Sequence, residues 1–469
     1  MLLISVVVYL LITLVVGLLA SRYVKDSKDF ILAGRRLPLI ISASALFATW
    51  FGSETVLGAS SEFIKHGLYG VIEDPFGAAL CLLLVGIFFA RPLYRMNILT
   101  FGDFYRIKYD KKTEITSSLF MIPSYFGWIA AQLVALGIMM NVLSGISIFS
   151  GILISAVVVT LYTVVGGMWA ISITDFVQTI IIIAGLIILA VTMVSDAGGL
   201  SYVIDQAPDG FFKFLPDPDP TAILYYFAAW ITIGLGSIPQ QDVFQRVMAS
   251  RTENIAVKAS YLSSLMYLTI AFLPLLIGLC AKILYPELLD SDEQTIIPQV
   301  VLIHTNLFVQ ILFFGALLSA ILSTTSGAIL APATILAENL VKPLSKEPIP
   351  EKYFLLLLRA SVVVVAIFSA IMASLSSNIY ELVAGSSIFS LVSLFVPLVA
   401  GLYWKRASSW GAIFSMVGGM AFWILFEYLA FDIPSMLPAL VASTFGMVAG
   451  SMLFPTKIRS IAVAAAGDK

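Results

Sequence analysis

The stretch that decides the fold is SALFATWFGSETVLGASS, residues 44–61. It is apolar at both ends and polar in the middle, where Gly52, Ser53, Glu54 and Thr55 stand together. Glycine weakens a helix, and a carboxylate in hydrocarbon is expensive. A second stretch, AAWITIGLGSIPQQDVFQR (228–246), has the same character, interrupted by Gly234, Gly236, Ser237, Pro239, Gln240 and Gln241. One interruption alone reads as a kink packed by its neighbours. Two form a pattern, because irregular backbone at membrane depth survives only where it lines a cavity or is buried in protein.

That these stretches lie in a membrane follows from composition. Hydrophobic residues make up 60% of the 469 positions and charged residues 12%, against roughly 25% charged in an ordinary soluble domain. No soluble core of this length hides so much apolar surface, whereas a bilayer accepts it on the outside of a helical bundle. Apolar runs of about twenty residues read as spanning helices. Thirteen are counted, centred near residues 11, 49, 80, 130, 156, 183, 232, 268, 320, 364, 390, 420 and 444. The first starts at Met1 without a preceding cation and is read as an uncleaved span, not a signal peptide. Cys81 and Cys280 both fall in apolar runs, so no disulfide framework is implied.

Charge placement sets the orientation. If alternate loops are cytoplasmic, they hold 23 of the 26 lysines and arginines, and only Lys65, Lys213 and Lys282 fall on the other side. Asp205, Asp209, Asp217, Asp219, Glu287, Asp290, Asp292 and Glu293 crowd the cation-poor loops. A miscounted helix would scramble this separation. The expected protein is therefore multi-pass, in a plasma membrane or a bacterial inner membrane, with its N-terminus outside and its C-terminus cytoplasmic.

The two interrupted spans are the second and the seventh, five apart. Five is odd, so two five-helix units starting at them have opposite topology, the pattern of transporters with a midplane site. A single membrane domain, residues 1–469, is expected. Its parts are an extra helix at 1–20, a first repeat at 38–195, a second repeat at 222–404 and two C-terminal helices at 409–454.

Four motifs then carry a resemblance. KDFILAGRRLP (28–38) ahead of the first interrupted span, LYTVVGGMWAISITDFVQ (161–178), VFQRV (243–247) and the hydroxyl-rich LSAILSTTSGAIL (318–330) resemble, in order and spacing, the sodium:solute symporter family. Within it the chain is most similar to the high-affinity choline transporter branch. The resemblance implies an all-α, LeuT-like core of five plus five inverted helices, and symport of a small organic solute with Na+.

Ala320, Ser323 and Thr324 share one helical face at i, i+3 and i+4. Sodium is a hard cation that prefers oxygen, and hydroxyls and the free carbonyls of an unwound helix supply it. By the resemblance, the ion sits among the carbonyls of Ala48, Phe51 and Ala320 and the hydroxyls of Ser323 and Thr324. A second ion in some members uses an aspartate and further hydroxyls, matched here by Asp175, Ser323 and Ser326. Gly327 stands where a serine would complete that set.

For the solute, the residues expected at the unwound midplane are Trp50, Glu54, Thr55, Trp128, Gln240 and Gln241. Trp50 and Trp128 match aromatic positions that hold a quaternary ammonium in the choline branch by cation–π attraction. Gln240 takes the place of a third aromatic. Glu54 suits a cationic or zwitterionic solute, such as an amino acid, a betaine or a choline-like compound. The amides suit a carboxylate or hydroxyl, and a sugar or carboxylate substrate is the alternative. Glu73 and Asp74 either rim the entrance or are simply solvated. Gly446 and Gly450 form a close-packing motif, His66 and His304 lack metal-ligand spacing, and Arg246 reads as an anchor at the cytoplasmic surface.

No nucleophile–base pair or phosphate loop appears, so a transporter and not an enzyme is expected. The partners expected are the solute, sodium and lipid, with no nucleic acid and no obligate protein partner. The competing readings are a solute sensor on the same scaffold, which would carry a signalling domain, an uncoupled facilitator, and a proton-coupled carrier.

Overall fold

The computed structural model describes residues 2–20, 22, 24, 26–290, 292–345 and 348–455; the expected cations of the tail, Lys457, Arg459 and Lys469, lie outside them. Among the described residues the secondary structure is helical, apart from an isolated bridge between Leu37 and Ser250. Bilayer physics demands this, since a helix satisfies its backbone within one segment.

Twelve of the thirteen expected centres fall inside helices and the other, residue 49, falls at the break of the second span. Among the described residues, length and hydropathy alone pick out nine spanning helices, or ten if the bent pair Pro220–Gly236 and Gln241–Met248 counts as one. The shortfall has structural causes. The second span is cut in two, leaving Leu39–Phe47 as a nine-residue piece. The fifth and sixth run together as Ile148–Asp196, 49 residues. At about 1.5 Å per residue that would be roughly 74 Å, far beyond a bilayer's ~30 Å core. The join is Gly167, whose φ of 62° lies in the left-handed region, where a side chain is strained.

The interruptions fall where the sequence places them. In the second span the first helix stops at Phe47, and a wider coil, Ser53–Ala59, resumes after Gly52. In the seventh, residues 237–240 separate two helices bent by 49°; Pro239 has no N–H to carry the ladder across. The segments flanking the breaks also pair: Leu37 N donates to Ala249 O at 3.0 Å and Arg251 N to Leu37 O at 2.9 Å. This joins the start of the second span to the end of the seventh.

Around the two broken spans the fourth, Lys111–Ser144, is the most enclosed, with 72% of its apolar window buried, while the last two, Ser409–Leu429 and Met436–Leu453, are only 28% and 33% buried at the rim. Gly446 and Gly450 let those two pack closely within the chain: a Cβ on Gly450 would come 2.7 Å from Gly411 Cα. N-cap side chains mark helix starts, with Asp110 accepting from Thr113 N, Asp219 from Ala222 N and Thr100 forming a reciprocal box with Asp103. Cys81 and Cys280 are buried free thiols.

A Cβ at Gly167 would meet Phe30 Cδ2 at 2.6 Å as well as the unfavourable φ. Gly167→Ala should therefore lower the melting temperature in detergent by several degrees, from strain of about 1–3 kcal/mol. Gly385→Ala, with nothing within 4 Å, should leave it unchanged in the same nanoscale fluorimetry run.

Candidate functional site: a broken-helix pocket and its cation face

The first break frees backbone carbonyls, and the ninth span answers them. Thr324 Oγ1 donates to Ala48 O at 2.9 Å, so the hydroxyl face of the ninth span meets the unwound end of the second. Ala48, Phe51, Ala320, Ser323 and Thr324 are all buried. Ser323 Oγ donates to Asp175 Oδ1 at 2.6 Å and lies 3.1 Å from Thr174 Oγ1. Two of the oxygens expected around a first ion, those of Thr324 and Ala48, and the Asp175–Ser323 part of a second set, are thus neighbours. Ser326 Oγ is buried without a hydrogen-bond partner.

Beyond the break, Glu54 and Thr55 turn into a polar chain. Trp128 Nε1 donates to Glu54 Oε1, and Gln132 Nε2 approaches the same oxygen at 3.4 Å. Ser53 Oγ donates to Gln132 Oε1 at 2.6 Å. Thr55 Oγ1 donates to Asp74 Oδ2 at 2.7 Å, so Asp74, 2% exposed, is not a solvated rim residue. Tyr125 OH donates to Asp242 Oδ1 at 2.6 Å, and Asp242 is itself wholly buried. Rings line the same region: Trp50 stands 6.3 Å from Tyr267, and Trp128 5.9 Å from Tyr125. Neither tryptophan faces lipid, since both are at most 3% exposed.

One oxygen of each carboxylate remains open. Glu54 Oε2, Asp74 Oδ1 and Asp242 Oδ2 are buried with no hydrogen-bond partner, as is Tyr267 OH. Buried acceptors are ordinarily satisfied, so three such oxygens make a buried centre that favours positive charge and N–H or O–H donors.

Two residues sit otherwise than expected. Gln241 spends its amide on backbone: Oε1 accepts from Phe101 N at 2.8 Å and Nε2 donates to Leu99 O at 3.3 Å. It ties the seventh span to the helix Phe101–Lys108 and offers a solute nothing in this conformation, while Gln240 is 4% exposed at the break itself. Arg246 is no surface anchor either, because its side chain is 0% exposed. The helix Gln241–Met248 is buried all round, its eight residues all enclosed, so a cation at its end has no route to water.

Sequence reasoning noted Ser53 only as part of the polar cluster and passed over Gln132, Tyr125, Tyr267 and Asp242. Gln132 was within reach as the i+4 neighbour of Trp128, and Asp242 as a carboxylate in the interrupted stretch. Nothing in their own segments singles out Tyr125 or Tyr267.

The family model for sodium:solute symporters matches residues 30–419. The chain belongs to the sodium:solute symporter family. Its similarity to curated members is spread over most of its length. It is 28% identical over 436 residues to the Drosophila melanogaster high-affinity choline transporter 1, covering 89% of this chain and 69% of that one. It is 25% identical over 472 residues to the Haemophilus influenzae sodium/pantothenate symporter, covering 96% of each. A solved Na+-coupled sialic acid symporter superposes with a TM-score of 0.84 at 17% identity, covering 98% of this chain and 99% of that structure, which establishes the fold. This symporter is a membrane transporter with the LeuT-like architecture, and not an enzyme.

The hydroxyl of Tyr125 is the donor that Asp242 depends on. Tyr125→Phe in this symporter should lose about 1–3 kcal/mol of stability, the cost of unpairing a buried acceptor. Tyr225→Phe, at a position 46% exposed, should melt as the parent does.

Proposed function

We propose that this symporter carries a small cationic or zwitterionic organic solute, bearing an ammonium group, into the cell with sodium. The observation that carries the reading is the pairing of two features at one break. Thr324 closes on the freed carbonyl of Ala48, and beyond the break Glu54, Asp74 and Asp242 each keep a buried oxygen without a partner, with Trp128 bonded to Glu54 and Tyr125 to Asp242.

Sodium takes the first position, among the carbonyls of Ala48, Phe51 and Ala320 and the hydroxyls of Ser323 and Thr324. There it welds the unwound second span to the ninth and holds the Glu54 segment in register. The solute's positive group then lies against Glu54 and the aromatic faces, an arrangement in which charge and cation–π attraction add. The curated relatives named for choline support a cationic group; those named for pantothenate and glucose show how widely the family varies. Gln240 in place of a third ring, together with the open carboxylate oxygens, favours an ammonium that still has N–H bonds over a fully substituted one. Two repeats at 38–195 and 222–404 would rock about this site. Coupling requires that each ligand raise the other's affinity, and an inside-negative potential drives sodium inward at about 2.3 kcal/mol per charge per 100 mV. The cation-rich loops face the cytoplasm in this scheme.

Ser323→Ala with Thr324→Ala should abolish sodium stimulation of uptake and the sodium-induced rise in melting temperature. At about 100 times Kd that rise corresponds to roughly 2.7 kcal/mol in the parent. Uptake by the double variant that still falls when sodium is replaced by lithium or potassium at fixed pH would reject the assignment. A thermal-shift screen against primary amines, amino acids, betaines, choline, sugars and carboxylates, with and without sodium, identifies the solute. Glu54→Gln should cost its affinity at least about tenfold, the loss of one charged partner.

A further inference from the structure

Gly327, where a hydroxyl would complete a second ion shell, opens onto the guanidinium of Arg246. A Cβ at 327 would lie 2.8 Å from Arg246 Nη2 and 3.4 Å from Nη1. Arg246 is wholly enclosed, and its Nη2 stands 3.8 Å from Asp175 Oδ2. Asp242, four residues before Arg246 on the same helix, is a second buried aspartate. No hydrogen bond reaches Nε, Nη1 or Nη2, nor Asp175 Oδ2, nor the neighbouring Ser326 Oγ. The guanidinium is therefore placed by charge and by the space that glycine leaves, not by a fork of hydrogen bonds of the kind arginine usually makes.

We propose that Arg246 is the resident cation of the second ion position, so that this symporter binds one sodium per cycle. Resting on the reading above, the inference concerns only stoichiometry. Asp175 beside an empty space would attract sodium. Beside a guanidinium its charge is already answered, and a second monovalent cation there would meet like-charge repulsion in a poorly screened interior. The missing side chain at 327 serves the same end twice, since it withdraws a ligand oxygen and admits the competitor. Ser323 links the two positions. Its proton goes to Asp175, which leaves its oxygen lone pairs for an ion on the Ala48 side. Because Arg246 stays with the protein, the second position contributes no charge to transport.

Equilibrium binding of radiosodium to the purified full-length protein, without solute, counts the ions. One saturable sodium per chain is expected, and two in the double variant Arg246→Gln, Gly327→Ser, which removes the tethered cation and restores the hydroxyl. Arg246→Lys keeps a cation in place and should stay at one. Two ions in the parent, or two in Arg246→Lys, overturns the proposal, as does a double variant that folds and still binds one. Should the double variant not fold, the counts for the parent and for Arg246→Lys still decide. No saturable sodium in the parent would remove the symport reading itself, an outcome distinct from a count of two.

Discussion

In hydrocarbon, a backbone carbonyl that leaves its helix must find another donor or an ion. The architecture of this symporter turns on that requirement at residues 48–52. The second span gives up its ladder there, and the ninth span, carrying Ser323 and Thr324 on one face, is held against it by the Thr324–Ala48 bond. The seventh span gives up its own ladder at 237–240 and is supported from other sides: Ser237 Oγ lies 3.2 Å from Ser387 Oγ, and Gln241 clasps the backbone at 99–101. Both breaks are stabilised by partners distant in sequence, so each break is a meeting point of several helices.

The same arrangement explains why so much charge is buried at the centre. Glu54, Asp74, Asp175 and Asp242 are each no more than 3% exposed, and Arg246 alone is a fully buried cation among the described residues. Buried ionic groups of this kind rarely stabilise a fold. They persist where function uses them, and intramembrane carboxylates mark ion and substrate pathways by default. Their open oxygens are acceptors that a bound donor or cation would satisfy.

Much of the fold was legible in the residues. Thirteen apolar stretches, the separation of cations from acids and two glycine-broken spans five helices apart lead to an inverted-repeat transporter, because the bilayer permits so few alternatives. The helix count by length and hydropathy alone was less readable. Gly167 joins two spans without a polar loop, and a helix cut at Phe47 is too short to register. Around the break, Glu54, Ser323 and Thr324 stand out in the sequence as polar groups in apolar runs, while Trp50 and Trp128 were expected there from the resemblance to the choline branch.

What the sequence by itself determined is therefore the solvent, the all-helical fold class and the identity of the exceptional residues: these are properties of single segments measured against hydrocarbon. What only the tertiary structure decided is which exceptional residues face one another. That Tyr125 serves Asp242, that Gln241 is bound to backbone, and that Arg246 lies in the gap beside Gly327 instead of at the membrane surface all depend on contacts between segments more than sixty residues apart. Periodicity along one helix specifies a face but not the neighbour packed against it, and the chemistry of this site belongs to the neighbours.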